Sequence, residues 1–401
     1  SVIMQPKIKS TWLNFHTIAN IKVFIVNYES LKTFFVSKIN VDAKGNYKSS
    51  DIELVEAAKA FDCIIWDESH KCKEPTAQVS KICMALAMGR EYRICMTGTA
   101  VVNKPKDLFT QLCIIGQLGN LFKERKYFFE RYCGGYSGRG GTNLKELQSI
   151  LKNTCYYRRN KSEVWQEMPA ITRTVVKCEI TNRQKYKDCQ NDLKTYLETV
   201  GKSAKEVQRS MRAEIMVRFM KLLSIAAKGK LESVYEILSE AIENEQKYVL
   251  FADSRDVIAS VFDKFKKHAT FINGLLSQEQ REVNKTKFLT DPECFIFVVS
   301  LKVGGTGMDG LQHVCSRGGF IQFPWHPAMS DQAEARLHRT GQKESVGFDY
   351  FLGVDTVDER VWDIIESKRG VSMQVLGSED AAEVDTVDMI NSLFDIRKNR
   401  D

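Results

Sequence analysis

The stretch CIIWDESHKC, residues 63–72, runs from apolar residues straight into two adjacent carboxylates, Asp67 and Glu68, followed by Ser69 and His70. In doubly wound sheets ligands bind at the C-terminal edge of the strands, and adjacent acids there can divide two tasks. Asp67 would hold a Mg²⁺ that bridges nucleotide phosphates, and Glu68 would orient and deprotonate an attacking water. For an isolated acidic pair a solvated turn is the better reading. Three further stretches reverse that preference. MTGTAVVNKP (96–105) ends another apolar run in Thr97, Gly98 and Thr99, hydroxyls on a pliable backbone able to sense the phosphate state. SDQAEARLHRTGQ (330–342) spaces Gln332, Arg336 and Arg339 at i, i+4 and i+7, which predicts one shared helix face. Two guanidiniums on such a face suit a γ-phosphate, where an arginine neutralises charge in phosphoryl transfer. SLKVGGTGMDG (300–310) sets four glycines between Gly304 and Gly310, so that backbone at Gly304 and Gly305 can approach a ligand.

The elements that must position these groups follow from periodicity. Short β-branched runs, KVFIVNY (22–28), FDCIIW (61–66) and YRICMTG (92–98), alternate with helix-like stretches, DIELVEAAKAF (51–61) and TAQVSKICMALAM (76–88). That alternation predicts a parallel sheet covered by helices. From about 177 to 245 the chain turns long, charged and helical. Strand-like runs resume at KYVLFAD (247–253), ATFING (269–274), CFIFVVS (294–300) and RGGFIQF (317–323), predicting a second α/β lobe. The expected organisation is a first lobe over 1–176, a helical insertion over 177–228, a second lobe over 229–375 and a tail helix over 376–401 that docks back on the lobes. The GGYSGRGGTN segment (134–143) reads as a flexible glycine-rich loop.

Composition bounds the class. A chain of 401 residues with 43% hydrophobic content can bury full cores and should form two or three domains. Eleven scattered cysteines contain no C-x-x-C pair, which predicts reduced thiols in an intracellular compartment, nucleus or cytoplasm, without zinc or a disulfide framework. No apolar run approaches the roughly 20 residues needed to span a bilayer, so a soluble protein without a membrane partner is expected. Residues 1–200 carry 31 Lys and Arg against 20 Asp and Glu, whereas 201–401 carry 27 against 31. The basic first half is compatible with a polyanion partner, although solvated lysine faces are equally common.

In this order the motifs resemble helicase superfamily two, specifically its Swi/Snf-type remodelling ATPases, over nearly the whole chain. SVIMQPKIKSTWLNF (1–15) is similar to the DNA-contact motif of the first lobe, DESH to the Walker B box and MTGTAVVNKPKDLF to the coupling motif. YYRRNKSEVWQEMPA (156–170) resembles the segment that exits the first lobe, and HRTGQ (338–342) the end of the arginine motif. The order of YSGRGGTNLKEL and YYRRNKSEV is closer to the HepA-related annealing-helicase branch than to nucleosome remodellers. The resemblance implies α/β architecture with two RecA-like lobes and helical insertions, ATP and Mg²⁺ as cofactors, and a monomer that moves along double-stranded DNA without sequence preference. It assigns Asp67 and Glu68 as metal ligand and general base, and Arg336 and Arg339 as arginine fingers. Gln332 joins them on the nucleotide. His70 couples the Walker B box to the second lobe, and Lys7, Lys9, Ser10, Thr11 and Lys302 contact the DNA backbone, which makes binding salt-sensitive.

The family's phosphate loop, G-x-x-x-x-G-K-S/T, would precede residues 1–15 and is expected upstream of Ser1. Gly201-Lys202-Ser203 lacks the upstream glycine and a preceding strand, and is a decoy. Ala335 stands where an acid is usual, and Met308-Asp309 where a hydrophobic residue and Asn are commoner; both bear on nucleotide affinity. Trp12 and Trp325 read as core residues before DNA-stacking ones, His338 as a helix-face residue, and YFFERY (127–132) as a helix packed on the first lobe. A strand-separating or annealing helicase and an inert DNA-binding scaffold remain as alternatives to the motor.

Overall fold

The computed structural model describes residues 2–3, 23–98, 105–135, 141–159, 164–165, 167–200, 209–304, 308–323, 327–363 and 390. The expected DNA-contact residues Lys7, Lys9, Ser10 and Thr11, together with Trp12, Thr99, Gly201-Lys202-Ser203, Gly305, Trp325 and all of the expected tail except Ile390, lie outside them. The chain forms two compact units, residues 1–158 and 159–401.

In the first unit the described strands pair two by two. Strand β1 (Val2–Ile3) runs parallel to β2 (Phe24–Ile25), β3 (Val36–Ile39) antiparallel to β4 (Ile52–Leu54), and β5 (Cys63–Trp66) parallel to β6 (Tyr92–Cys95). The β3–β4 pair departs from the expected helix over DIELVEAAKAF. Ile52, Val55 and Ala58 have helical spacing, but pairing with β3 draws 52–54 into a strand, leaving only a 3-10 turn at Glu56–Ala60. The helix Gln78–Ala87 forms as expected and buries Ile82, Cys83, Leu86 and Ala87 against Trp66, Phe34 and Phe35. YFFERY falls in the helix Arg125–Tyr132, whose Phe128, Phe129 and Tyr132 pack with Phe109, Phe122 and Leu147.

The second unit is built on six parallel strands, β7 (Ile171–Cys178), β8 (Tyr248–Ala252), β9 (Ala269–Ile272), β10 (Ile296–Ser300), β11 (Arg317–Phe320) and β12 (Val346–Gly353), in the spatial order β7-β12-β11-β8-β10-β9. Every residue of β8 and β10 is buried, as continuous apolar runs require when both sheet faces are covered. Val249, Phe251, Phe297 and Val299 pack into one core, Tyr248, Leu250, Ile296 and Val298 into the other. Gly319 is required by this packing, because a Cβ there would sit 2.9 Å from both the Asp349 carbonyl and the Phe351 ring. The strand β7 is an edge of this sheet, paired along its whole length with β12, whereas the sequence reading carried the first lobe to residue 176. Alternation in ITRTVVKC announces a half-covered strand without saying which sheet receives it. Helices Arg183–Val200 and Arg209–Gly229 occupy the charged middle stretch, joined by Arg218 to Asp192 at 2.5 Å, while Glu214 of its own helix holds the same guanidinium at 2.8 Å. Ile390 is fully buried in the core of the second unit. Among the described residues no helix is long and apolar enough to cross a membrane.

Lys230, between the helices Arg209–Gly229 and Leu231–Glu243, is 1% exposed and donates to Ile321 O at 2.6 Å, Phe351 O at 2.7 Å and Asp358 Oδ2 at 2.6 Å. Removing one member of such a pair strands a buried charge, so Asp358→Ala should cost about 3–5 kcal/mol in urea unfolding of the second unit. The double change Lys230→Met, Asp358→Leu removes the stranded charge and should recover part of that loss, the remainder reflecting the Ile321 and Phe351 carbonyls left without their donor; equal losses in both variants would contradict this account.

Candidate active site

The acids at the end of β5 are held by a continuation of its pairing with β6. Met96 N–H donates to Trp66 O at 2.9 Å and Ser69 N–H returns to Met96 O at 2.9 Å, so the chain must reverse within Asp67 and Glu68. Glu68 takes the left-handed conformation, φ 50° and ψ 48°, which is costly for a residue with a Cβ. Its N–H is satisfied by Asp67 Oδ1 at 3.0 Å, and Tyr28 Oη donates to Asp67 O at 2.7 Å. Burial pushes the Tyr28 phenol far above its ordinary range, so the hydroxyl stays protonated and available as that donor. Behind the turn Ser69 is fully buried and donates to Gln111 Oε1 at 2.9 Å, while Gln111 Nε2 donates to Asp107 O at 3.2 Å. Strain of this kind persists only where the surroundings over-determine it, and it clusters at functional sites.

His70 joins the two first-unit motifs. Its Nδ1 lies 3.1 Å from Glu68 Oε2 and 3.0 Å from Thr97 Oγ1, so an acid from the β5 turn and a hydroxyl from the end of β6 share one imidazole nitrogen. Gly98 follows Thr97 at the same edge, with open space where a Cβ would be. Asp67 is exposed, and one of its oxygens is engaged by its neighbour's amide. Among the described residues no cluster of three or more His, Cys, Asp or Glu could hold a metal. One outward carboxylate fits Mg²⁺, which is commonly held by one or two acids together with substrate phosphates and water.

In the second unit Gln332, Arg336 and Arg339 do share a face. They line an open pocket of about 510 Å³ together with Val164, Trp165, Ala335 and Thr340. The helix itself is shorter than the spacing predicted. It spans Pro327–Glu334 and then gives way to turns, in which Arg336 N–H donates to Ala333 O at 3.1 Å and Leu337 N–H to Glu334 O at 3.0 Å. Ala333, Glu334, Leu337 and His338 point inward, leaving residues 332, 335, 336 and 339 toward the pocket. Arg339 is ion-paired with Asp309. Gly304 ends a short helix after β10, and the side chain of Lys302 lies outside the described part. Sequence reasoning passed over Tyr28 and Gln111, which brace the acidic turn, and Arg173, Tyr350 and Glu334, which brace the arginines. Each acts across 16 to 161 residues of sequence or more locally through a carbonyl, so spacing carried no signal for them.

The sequence matches two family models in succession, the SNF2-related domain over residues 1–230 and the helicase conserved C-terminal domain over residues 229–341. The chain belongs to the SNF2-related family. This is a family of DNA-dependent, helicase-type ATPases of superfamily two. SNF2-related proteins similar to it include the SWI/SNF-related matrix-associated actin-dependent regulator of chromatin subfamily A-like protein 1 of Xenopus tropicalis, 25% identical over 93% of this chain and 38% of that protein. The DNA annealing helicase and endonuclease ZRANB3 of Homo sapiens is 25% identical over 88% of this chain and 33% of its own length. The chain thus spans well under half of either relative. Among solved structures, the Sulfolobus solfataricus SWI2/SNF2 ATPase core in complex with dsDNA is 22% identical, covers 91% of this chain and 77% of that one, and has a TM-score of 0.42.

The left-handed backbone at residue 68 inverts an ordinary rule. Glycine is usually less stabilising than alanine, but at positive φ it avoids a penalty of about 1 kcal/mol. Chemical denaturation should therefore find Glu68→Gly at least as stable as Glu68→Ala; an alanine variant clearly the more stable of the two would contradict the turn described.

Proposed function

We propose that this chain is the motor portion of an ATP-dependent translocase on double-stranded DNA, in which Asp67 and Glu68 of the first unit and Gln332, Arg336 and Arg339 of the second serve one hydrolysis reaction. The observation that carries this reading is the strained turn after β5, which presents both acids at the sheet edge and ties Glu68 through His70 to Thr97. Glu68 accepts a proton from the attacking water as its oxygen bonds to the γ-phosphorus and the bond to ADP breaks, giving ADP and inorganic phosphate. Asp67 would hold Mg²⁺, whose positive charge offsets that of the phosphates when bound. Arg336 and Arg339 neutralise charge on the transferring group, and Gln332 orients it. Turnover changes the load on Glu68, and His70 passes that change to Thr97 and the coupling motif.

DNA as the track is supported by family membership and by the basic balance of residues 1–200. Lys7, Lys9, Ser10, Thr11 and Lys302 are the proposed backbone contacts, and Gly304 and Gly305 the backbone that approaches the ligand. An annealing helicase is the second reading, favoured by the likeness to the relative named as a DNA annealing helicase. Comparing stimulation of hydrolysis by duplex, single-stranded and forked DNA separates the two.

In the complete gene product Glu68→Gln should abolish duplex-stimulated ATP hydrolysis while retaining ATP binding. Arg336→Ala should lower kcat by about 10³-fold or more, as loss of an arginine finger does in phosphoryl transfer. Normal turnover by Glu68→Gln would refute the base assignment, and no turnover by the unmodified protein with any DNA would leave a DNA-binding scaffold.

A further inference from the structure

Glu334 is the last residue of the helix 327–334, is 3% exposed, and lies two residues before Arg336. Its carboxylate is gripped from two strands. Arg173 of β7 donates through Nε to Oε1 at 2.8 Å and through Nη2 to Oε2 at 2.7 Å, and Tyr350 of β12 donates its hydroxyl to Oε1 at 2.6 Å. A second hold falls four residues on, where His338 Nε2–H donates to Pro169 O at 2.8 Å and the Trp165 ring lies 6.1 Å from the His338 ring. Arg336 sits between these two holds, and Arg339 directly follows the second.

We propose that Arg173, with Tyr350 and the preceding Trp165 and Pro169, positions Arg336 and Arg339 for catalysis by clamping the turn that bears them through Glu334 and His338. Residues 167–173, together with Trp165, thus form a strap laid across the arginine motif, on the stretch of chain that leads into the second unit's sheet. Beyond Glu334 the ladder turns irregular, with i→i−3 bonds from Arg336 and Leu337 and a return from His338 N–H to Glu334 O at 2.8 Å, so the backbone that carries the two arginines is set by whatever fixes Glu334 and His338, while Asp309 adds its own hold on the Arg339 guanidinium. Stability alone does not account for the arrangement, because a buried ion pair is commonly matched or bettered by apolar residues of similar size. What an apolar pair cannot supply is the two-pronged, planar geometry of an arginine fork on a carboxylate, which fixes orientation as well as distance. The hydroxyl of Tyr350 takes a further lone pair of the same oxygen and leaves the carboxylate little freedom to rotate.

This inference rests on the ATPase reading, and its test is arranged so that the two can fail separately. In the complete gene product, hydrogen exchange at the amides of Arg336, Leu337 and His338 would be compared between wild type and Arg173→Gln, with β8 and β10 as internal references. Exchange at the three turn amides should rise about tenfold or more while the strands are unchanged, the signature of a local opening. At saturating duplex DNA, kcat should fall about 10- to 100-fold, the scale expected of a misplaced catalytic group. The KM for ATP should stay within about threefold, since an interaction felt in the transition state is the one lost. Arg173→Gln added to Arg336→Ala should lose clearly less than the product of the two single losses, since only the part that acts through Arg339 is left, and Arg173→Lys should recover part of the rate. Should Arg173→Gln unfold, Tyr350→Phe removes a single hydroxyl and should show the same pattern more weakly. Unchanged exchange at the turn, or losses that multiply in the double variant, would overturn the clamp. Absence of hydrolysis in the wild type would overturn the ATPase reading and leave the exchange comparison to decide the clamp.

Discussion

The ammonium of Lys230 has almost no water within reach, and all three of its protons are committed to protein oxygens. Two of those oxygens are carbonyls just beyond or within the last residues of β11 and β12, and the third belongs to Asp358, which also accepts the N–H of Gly353 at 3.1 Å. One buried charge therefore sets where two central strands end relative to the helices that flank Lys230. Ile321 directly follows β11, at the strand end that precedes the arginine-bearing helix in the chain. Val357 N–H donates to Tyr186 Oη at 2.7 Å, which extends the same constraint to the helix 183–200. A lysine in water has many ways to satisfy its charge, and a lysine in this position has one.

The two groups of candidate catalytic residues are held by different physics. In the first unit the acids are placed by backbone: a ladder that continues past β5 leaves two residues to reverse direction, and Glu68 absorbs the cost in its φ angle. In the second unit the arginines are placed by side chains, through a buried carboxylate gripped from neighbouring strands and an imidazole that donates to Pro169 O ahead of β7. Backbone placement tolerates changes of side-chain chemistry, since the ladder persists whatever residue 68 carries. Side-chain placement does not, because the grip disappears with any one of its members.

The parts of this arrangement that were legible in sequence are those written in local order. An apolar run ending in Asp67 and Glu68 marks a strand and its edge, and the i, i+4, i+7 spacing of Gln332, Arg336 and Arg339 correctly places them on one face even though turns replace the helix after Glu334. The four apolar runs from 247 to 323 became strands of one sheet. The strand β12 was not legible, because Asp349 interrupts VGFDYFLG with an acid. Its carboxylate is tolerated by the Tyr248 hydroxyl at 2.9 Å and Arg317 at 3.2 Å, both distant in sequence. DIELVEAAKAF misled for the opposite reason: its composition favours a helix, and tertiary pairing with β3 outweighs a propensity of tenths of a kcal/mol per residue. The braces at Tyr28, Arg173 and Tyr350 left no local trace, since each is defined by a partner far along the chain.

Register gives the strap a consequence for how this protein can change. Side chains alternate faces along β7, and Ile171 is paired with Val346, Arg173 with Phe348. After inserting or deleting one residue between Pro169 and Arg173, the chain could keep the β7 register that aims Arg173 or the Pro169 contact to His338, but not both. Residues 170–172 are open to substitution, but the length of the stretch is not. Related sequences that share the clamp should accumulate their insertions on either side of it, and a length change inside it marks a lineage that orients its arginines by other means.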